Sequence, residues 1–446
     1  MKVFKFGGAS VNSADAVRNM AQIVKSEIGG RKSDFQQPLV VVVSAMGKTT
    51  NLLEKLVPTN SDLKPPTSEL RQQLEDYHIN IVKSLIPNDE TLVNKVLDLL
   101  HQLDDTINTL STFHFPLPTQ YNYCYDQVVS FGELISTTII AEYLNHLGIS
   151  TLWVDARQLI RTDNHYREGR VDWTETQKEI DKWKVESGKW KDVNIILTQG
   201  FIGGTNSHFS IFNSQFSTTT LGREGSDYSA AVLAYCLDAE SVTIWKDVPG
   251  FLNADPKFFH DTVKISQIPY NEAIELAYYG ASVIHPKTVK PIQNKGIPLY
   301  IRSFITPEAE GSSIGDYRTL VPETPLYIFK NNQILLSILP RDYSFIAEDN
   351  LQYIFGILSK IGIRVNLMQN SALSFSICID NIPQLVNPLV DELKNMFRVR
   401  YNDNLQLITI RYYNQEVIDR IVAGRPILLE QRSRTTEQLI VPTTVE

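Results

Sequence analysis

The apolar positions of this chain change their spacing in a regular order. Residues 3–6 form a short β-type run that ends at Gly7 and Gly8, and residues 13–28 follow with Ala16, Met20, Ile23 and Val24 spaced for one helical face. Residues 39–43 are an unbroken apolar, β-branched run, the pattern of a strand buried on both faces of a parallel sheet, and residues 44–51 lead from it into another helix. Runs of the same kind lie at 151–154, 193–198, 241–245 and 298–302, with helical segments between them. Strands alternating with helices predict an α/β fold, a doubly wound and mostly parallel sheet over residues 1–305.

Between residues 52 and 126 the spacing turns to i, i+3, i+4, as in Leu92, Val96, Leu99, Leu100 and Leu103, broken at Pro65, Pro66 and Pro87. A helical insertion or lid is expected there. Residues 306–325 are rich in Gly, Ser, Pro and Glu and read as a linker, with a domain boundary near 320. Beyond it strand-like runs at 327–329 and 334–339, a helix at 349–361, strands at 364–368 and 374–379, a helix at 383–396 and a strand at 405–411 predict an α+β unit, βαββαβ, over 326–411. Segments at 417–423, 427–429 and 438–441 predict a shortened second unit over 412–446 that shares strands with the first.

Composition narrows the possible partners. A chain of 446 residues exceeds the size of one hydrophobic core and predicts two or three domains. The formal net charge of -8, with no local Lys/Arg cluster, argues against a nucleic-acid or anionic-membrane surface and for a small-molecule partner. Cys124, Cys236 and Cys378 stand far apart, so neither a disulfide framework nor a thiolate metal site is expected, and a reducing cytoplasm fits. No eighteen apolar residues run together and no apolar stretch follows the N-terminal charge, so neither a membrane span nor a signal peptide is expected.

The chemistry concentrates in a few segments. Lys5 stands on a strand just before Gly7, Gly8, Ala9 and Ser10, where missing Cβ atoms let backbone N–H groups approach an anion; a plain turn is the bland alternative. Residues 44–50 invite a P-loop reading, but Val42 stands where that motif needs its first glycine. What remains is a strand-to-helix turn with Ser44 and Thr50, able to bind a carboxylate or phosphate or simply to cap the helix. Residues 218–229 carry hydroxyls, Gly222 and Gly225, Arg223 between them, Ser226 and Asp227, just before an apolar helix. Ser226 can cap that helix, whereas Arg223 suits a small carboxylate or phosphate. Glu133 opens an apolar helix, either favouring its dipole or meeting a substrate ammonium. Lys246 and Asp247 follow a buried strand at its carboxyl end, where open α/β sheets bind ligands. His285 has no second ligand at metal spacing and reads as structural, so no protein metal site is expected.

Taken in order, residues 5–10, 43–47, 130–133, 198–203, 221–228 and 244–250 resemble the motifs of aspartate kinases in the amino-acid kinase superfamily, and the likeness covers nearly all of residues 1–303. The resemblance implies ATP, with Mg²⁺ on its phosphates, and L-aspartate as substrates. It implies Lys5, Gly7, Gly8 and Ala9 at the phosphates, and Lys246, Asp247, Leu252, Lys257 and Ser282 at the nucleotide. Many family members carry tyrosine at the position of Leu252 and lysine at that of Ser282. Ser44, Thr50, Glu133, Phe201, Arg223, Ser226 and Asp227 would surround aspartate, with Lys5 and Asp227 as catalytic groups. The C-terminal region resembles tandem ACT domains, which implies an amino-acid effector, lysine as the first expectation, and a homodimer. Nothing after that region reads as the dehydrogenase of a bifunctional enzyme. Two rivals stand: a superfamily member phosphorylating glutamate, a carbamate or UMP, and an inactive amino-acid sensor.

Overall fold

The run Leu39–Val43 is buried along its whole length, as a central parallel strand covered on both faces must be. In the computed structural model, which describes residues 1–30, 37–58, 67–112, 119–186, 193–206, 216–256, 259, 261–281, 283–342 and 344–443, it is the second strand of an eight-stranded sheet. The first twelve strands are β1 (Lys2–Phe6), β2 (Leu39–Val43), β3 (Thr151–Val154), β4 (Ile195–Gln199), β5 (Ile202–Thr205), β6 (Ser217–Thr220), β7 (Ser241–Lys246), β8 (Phe251–Leu252), β9 (Lys264–Ile265), β10 (Gln267–Pro269), β11 (Leu299–Ser303) and β12 (Ser312–Gly315). The sheet order is β10-β12-β11-β7-β1-β2-β4-β3, parallel throughout except that β12 runs against β11.

Helices separate the strands. They are α1 (Ala14–Gly29), α2 (Thr49–Glu54), α3 (Thr67–Leu85), α4 (Glu90–Thr112), α5 (Thr119–Val129), α6 (Phe131–His146), α7 (Ala156–Leu159), α8 (Trp173–Glu186), α9 (Gly225–Leu237), α10 (Tyr270–Tyr279) and α11 (Pro286–Asn294). Ser13 caps α1 by accepting the Ala16 N–H at 3.2 Å, one of the donors a helix start leaves unpaired. The stretch expected to be helical holds α2 to α5, and Leu92, Val96, Leu100 and Leu103 of α4 join the core that covers Phe4, Phe6 and Val41. Among the described residues, no helix is long and apolar enough to cross a membrane.

The chain divides into two compact units, residues 1–251 with 264–277 and 282–322, and residues 252–263 with 278–281 and 323–446. The linker expectation for 306–325 needs correction, because β12 lies inside it and joins the first unit's sheet. Its serines do the work of a strand: the buried Ser312 hydroxyl donates to Ile265 O and accepts the Phe251 N–H, and Ile314 is fully buried. Composition alone reads such a stretch as a connector.

The second unit carries β13 (Leu326–Pro340), α12 (Glu348–Ile361), β14 (Val365–Asn370), β15 (Phe375–Asp380), α13 (Pro383–Leu393), β16 (Phe397–Arg411), α14 (Gln415–Val422), β17 (Leu429–Arg432) and β18 (Thr436–Pro442). They form one antiparallel sheet in the order β14-β15-β13-β16-β18-β17. The two runs expected at 327–329 and 334–339 are a single strand, kinked by register shifts around Gln333. β16 begins well before residue 405, because Arg398, Arg400 and Asp403 on its first half face solvent and leave no apolar run to read. One half of the two long strands packs with α12 and α13, the other half with α14.

Candidate active site

β1, β2, β4 and β7 all point the same way, and their carboxyl ends deliver Gly7, Ser44, Phe201 and Lys246 to one edge of the sheet. β1 leads to β2 on one side and lies against β7 on the other, so this edge is a topological switch point, the place where open α/β sheets form a crevice. A cavity of about 920 Å³ opens there, and its wall includes Lys5, Gly8, Ser44, Thr50, Glu133 and Phe201. Arg223, Ser226, Asp227 and Lys246 also line it.

The Lys5 ammonium lies 2.7 Å from Asp227 Oδ1, and the Lys246 ammonium lies 3.4 Å from Asp227 Oδ2. Burial pushes the Asp227 carboxyl up, but the two lysines outweigh it and hold the group below its ordinary range. Gly8 lets the turn after β1 press on the turn after β2, since a Cβ there would stand 2.8 Å from Ala45 O. Both turns therefore reach the cavity side by side.

α9 starts at this edge. Its cap residue Glu224 and the facing Phe201 both hold left-handed backbone, φ 53° and 69°, rare for side chains of their size. The Phe201 N–H is bound by Ser229 Oγ at 2.9 Å. Ser226 does not cap α9, a correction to that reading: it lies inside the first turn and its hydroxyl accepts from Ser44 Oγ at 2.8 Å, tying β2 to the helix start. The Gly225 and Asp227 N–H groups of this first turn are taken by Gly222 O and Glu224 O at 3.0 and 3.1 Å, and the exposed Arg223 stands beside them on the cavity wall.

Glu133, buried in the first turn of α6, accepts the Ala45 N–H at 3.1 Å through Oε1, while Oε2 has no hydrogen-bond partner. Burial pushes this carboxyl up to about 8. A buried unpaired acceptor facing a cavity is costly unless a ligand donor meets it. Glu224 Oε2 is likewise buried without a hydrogen bond, and burial raises that carboxyl against the pull of Lys246.

Ala9 and Asp247 are exposed and stand outside the cavity wall. Leu252 belongs to the second unit, and Lys257 and Ser282 lie outside the described residues. His285 caps α11 by accepting the Lys287 N–H, the structural role its sequence context indicates. Sequence reasoning missed Glu224 and the wall residues Asn122, Tyr125, Tyr166, Arg167 and Arg170. The mixed-charge run Asp163 to Arg170 was a signal for the last three. Among the described residues, no group of three or more His, Cys, Asp or Glu could hold a metal ion.

A family model, the amino acid kinase family, matches residues 1–303. Lysine-sensitive aspartokinase 3 of Escherichia coli (strain K12) is 30% identical over 421 residues, covering 92% of this chain and 86% of that protein. Aspartokinase 2, chloroplastic, of Arabidopsis thaliana is 30% identical over 430 residues, covering 92% and 73%. The crystal structure of E. coli aspartokinase III in complex with aspartate and ADP matches at a TM-score of 0.80 and 27% identity, over 99% of this chain and 96% of that one. The same enzyme in complex with lysine and aspartate gives 0.78 at 27% identity over the same shares. From the strand-edge crevice through the antiparallel C-terminal sheet, the chain belongs to the amino acid kinase family and, within it, to the aspartokinases.

Proposed function

We propose that this chain transfers the γ-phosphoryl group of ATP to the side-chain carboxylate of L-aspartate, giving ADP and 4-phospho-L-aspartate. The observation that carries the reading is the convergence of Lys5 and Lys246 on Asp227 in the cavity that also holds the unpaired Glu133 oxygen and Arg223.

An aspartate side chain with a pKa of about 3.9 is already ionised at neutral pH and needs no general base. Its oxygen attacks the γ-phosphorus, the bond from that phosphorus to the bridging oxygen breaks, and ADP leaves with the electron pair. Catalysis is then positioning and charge stabilisation. Lys5 meets the charge on the transferring group, and Asp227 holds Lys5 and Lys246 in place until the nucleotide arrives. Gly7, Gly8 and Ala9 offer backbone donors to the phosphates. Asp247, Leu252, Lys257 and Ser282 are proposed for the nucleotide by position in the family's motifs. Arg223 and Ser44 take the substrate's α-carboxylate, with Thr50, Phe201 and Ser226 around it, and Glu133 takes its ammonium.

Mg²⁺ is proposed to arrive on the nucleotide's phosphates, where Glu224 Oε2, buried without a hydrogen bond, could take it as a ligand oxygen. Bound there, the ion would neutralise charge on the phosphate oxygens. Lysine as effector is supported by the lysine complex of the E. coli relative. The second unit is proposed as the effector-binding and homodimer-forming part.

The test is ADP release with MgATP and L-aspartate, with hydroxylamine trapping the acyl phosphate, beside L-glutamate and Lys5→Ala. Turnover with aspartate that disappears in the variant supports the reading. A folded protein that turns over neither substrate, yet binds lysine, would replace it with a sensor.

A further inference from the structure

Asp126 is fully buried in α5 and has no part in the roles given above. Its Oδ2 accepts the N–H of Arg167 at 2.8 Å and the N–H of Thr220 at 2.9 Å, and its Oδ1 accepts the Thr220 hydroxyl at 2.7 Å. One carboxylate thus gathers three donors from two segments remote in sequence. Both segments are cavity wall: Arg167 and Thr220 line it, and Thr220 ends β6 just before the turn that carries Arg223.

The neighbouring residue extends the clamp. Gln127 donates from Nε2 to Thr218 O at 2.7 Å and accepts the Thr218 N–H at 3.1 Å, so its amide pairs with β6 as a strand neighbour would. The Gly169 N–H reaches Thr220 O at 2.8 Å, which joins the loop between α7 and α8 to the same strand end. Arg167 sits at φ 68°, a strained conformation for a non-glycine residue, and the bond from its N–H to Asp126 helps to hold it. On the other side, α5 runs on through Ser130, whose hydroxyl donates to Gln127 O, into α6 and Glu133.

A purely structural role does not explain a carboxylate here. Burial pushes Asp126 up to about 7 against the bonds from Arg167 and Thr220, and a well-packed apolar residue usually serves stability as well as a buried charge or better. What the carboxylate achieves is geometric: it fixes the end of β6, and hence Arg223, relative to the helix pair that carries Glu133.

We propose that Asp126 is a positioning residue for the amino-acid substrate, holding apart by a set distance the groups that receive its carboxylate and its ammonium. The inference rests on the assignment of Arg223 and Glu133 to aspartate under the proposed function. It leaves the nucleotide side of the cavity untouched.

The experiment measures kcat and both KM values for Asp126→Ala, Asp126→Asn and Thr220→Val in the full chain. In Asp126→Ala two backbone donors and a hydroxyl lose their acceptor, so aspartate KM is expected to rise about tenfold or more while ATP KM stays within about twofold. Asp126→Asn keeps an oxygen for the two N–H groups and can turn its NH₂ to Thr220 Oγ1, so it is expected to rescue aspartate KM to within about threefold. Thr220→Val removes the hydroxyl alone and is expected to raise aspartate KM about threefold, which keeps a readout if Asp126→Ala fails to fold. Equal rises in both KM values, or wild-type aspartate KM in Thr220→Val and in a folded Asp126→Ala, would overturn the proposal. Absence of aspartate turnover in the unaltered chain would instead remove the kinase reading beneath it.

Discussion

The Nζ of Lys5 and the Oδ1 of Asp227 stand 2.7 Å apart, with the Lys5 and Asp227 side chains only 10% and 3% exposed. A pair this buried depends on both members, because removing one leaves the other charged without compensation, typically at about 3–5 kcal/mol. Asp227→Asn keeps the shape and removes the charge. It is expected to lower kcat by about 10²–10³, the usual effect of losing one preorganised electrostatic group, in the ADP-release assay. The pH dependence provides an independent check. Asp227 is held below its ordinary value by Lys5 and Lys246 against burial. Its stabilising contribution is therefore present above the unfolded value, about 3.9, and is lost as pH falls through the lower folded one. Urea unfolding of the wild type should show that acid slope, and Asp227→Asn should have a smaller one; identical slopes would detach Asp227 from the lysines.

Glu133 behaves in the opposite sense. Burial raises its carboxyl to about 8 in the folded chain, so the folded state holds its proton over a range in which the unfolded chain has released it. Stability linked to this group is fully present below the unfolded value, about 4.3, and is lost as pH rises through 8. Without aspartate, Glu133→Gln should therefore melt higher than the wild type at pH 8.5. Aspartate binding needs the ionised form, so aspartate KM should fall as pH rises through 8, a limb that Glu133→Gln abolishes. A pH-independent aspartate KM in the wild type between about pH 6.5 and 8.5 would count against the ammonium role.

Much of this arrangement was legible in the residues themselves. Residues 39–43 are a continuous apolar run because this central strand is buried on both faces, and residues 151–154, a half-exposed edge strand, are likewise found as a strand at those bounds. Lys5, Glu133, Arg223 and Asp227 stand beside glycines or at helix starts, where local sequence carries the geometry. Glu224 and Arg167 escaped notice because their importance lies in left-handed backbone conformations, which no side-chain pattern announces. Asp126 escaped because its three donors come from residues 41 and 94 positions away. The first half of β16 escaped because its outward face is charged, and pairing with β13 rather than apolar content makes it a strand.

The helical stretch between β2 and α6 has a definable task at the turn that carries Ser44 and Thr50. Tyr77 of α3 donates its hydroxyl to Asn12 O at 2.7 Å, and a Cβ on Gly47 would stand 2.8 Å from that same hydroxyl. Next to it the buried His78 has Nδ1 2.7 Å from Leu74 O, which requires that nitrogen to carry the proton, and Nε2 3.4 Å from Thr49 Oγ1. Burial lowers His78 to about 4, so the ring is neutral at physiological pH, and the Thr49 hydroxyl donates to Met46 O at 2.6 Å. Gly47 itself sits at φ 54°, so an alanine there meets two separate obstacles, the left-handed backbone and the Tyr77 hydroxyl. Gly47→Ala is expected to cost about 2 kcal/mol or more in urea unfolding and to raise aspartate KM. Tyr77→Phe alone should cost about 1 kcal/mol, the net worth of its hydrogen bond. Combined, the two should cost less than their sum, by about 0.5–1 kcal/mol, because the phenylalanine gives the new methyl room and only the backbone strain remains. Strict additivity would show that the strain at Gly47 is purely local and that α3 does not brace the turn.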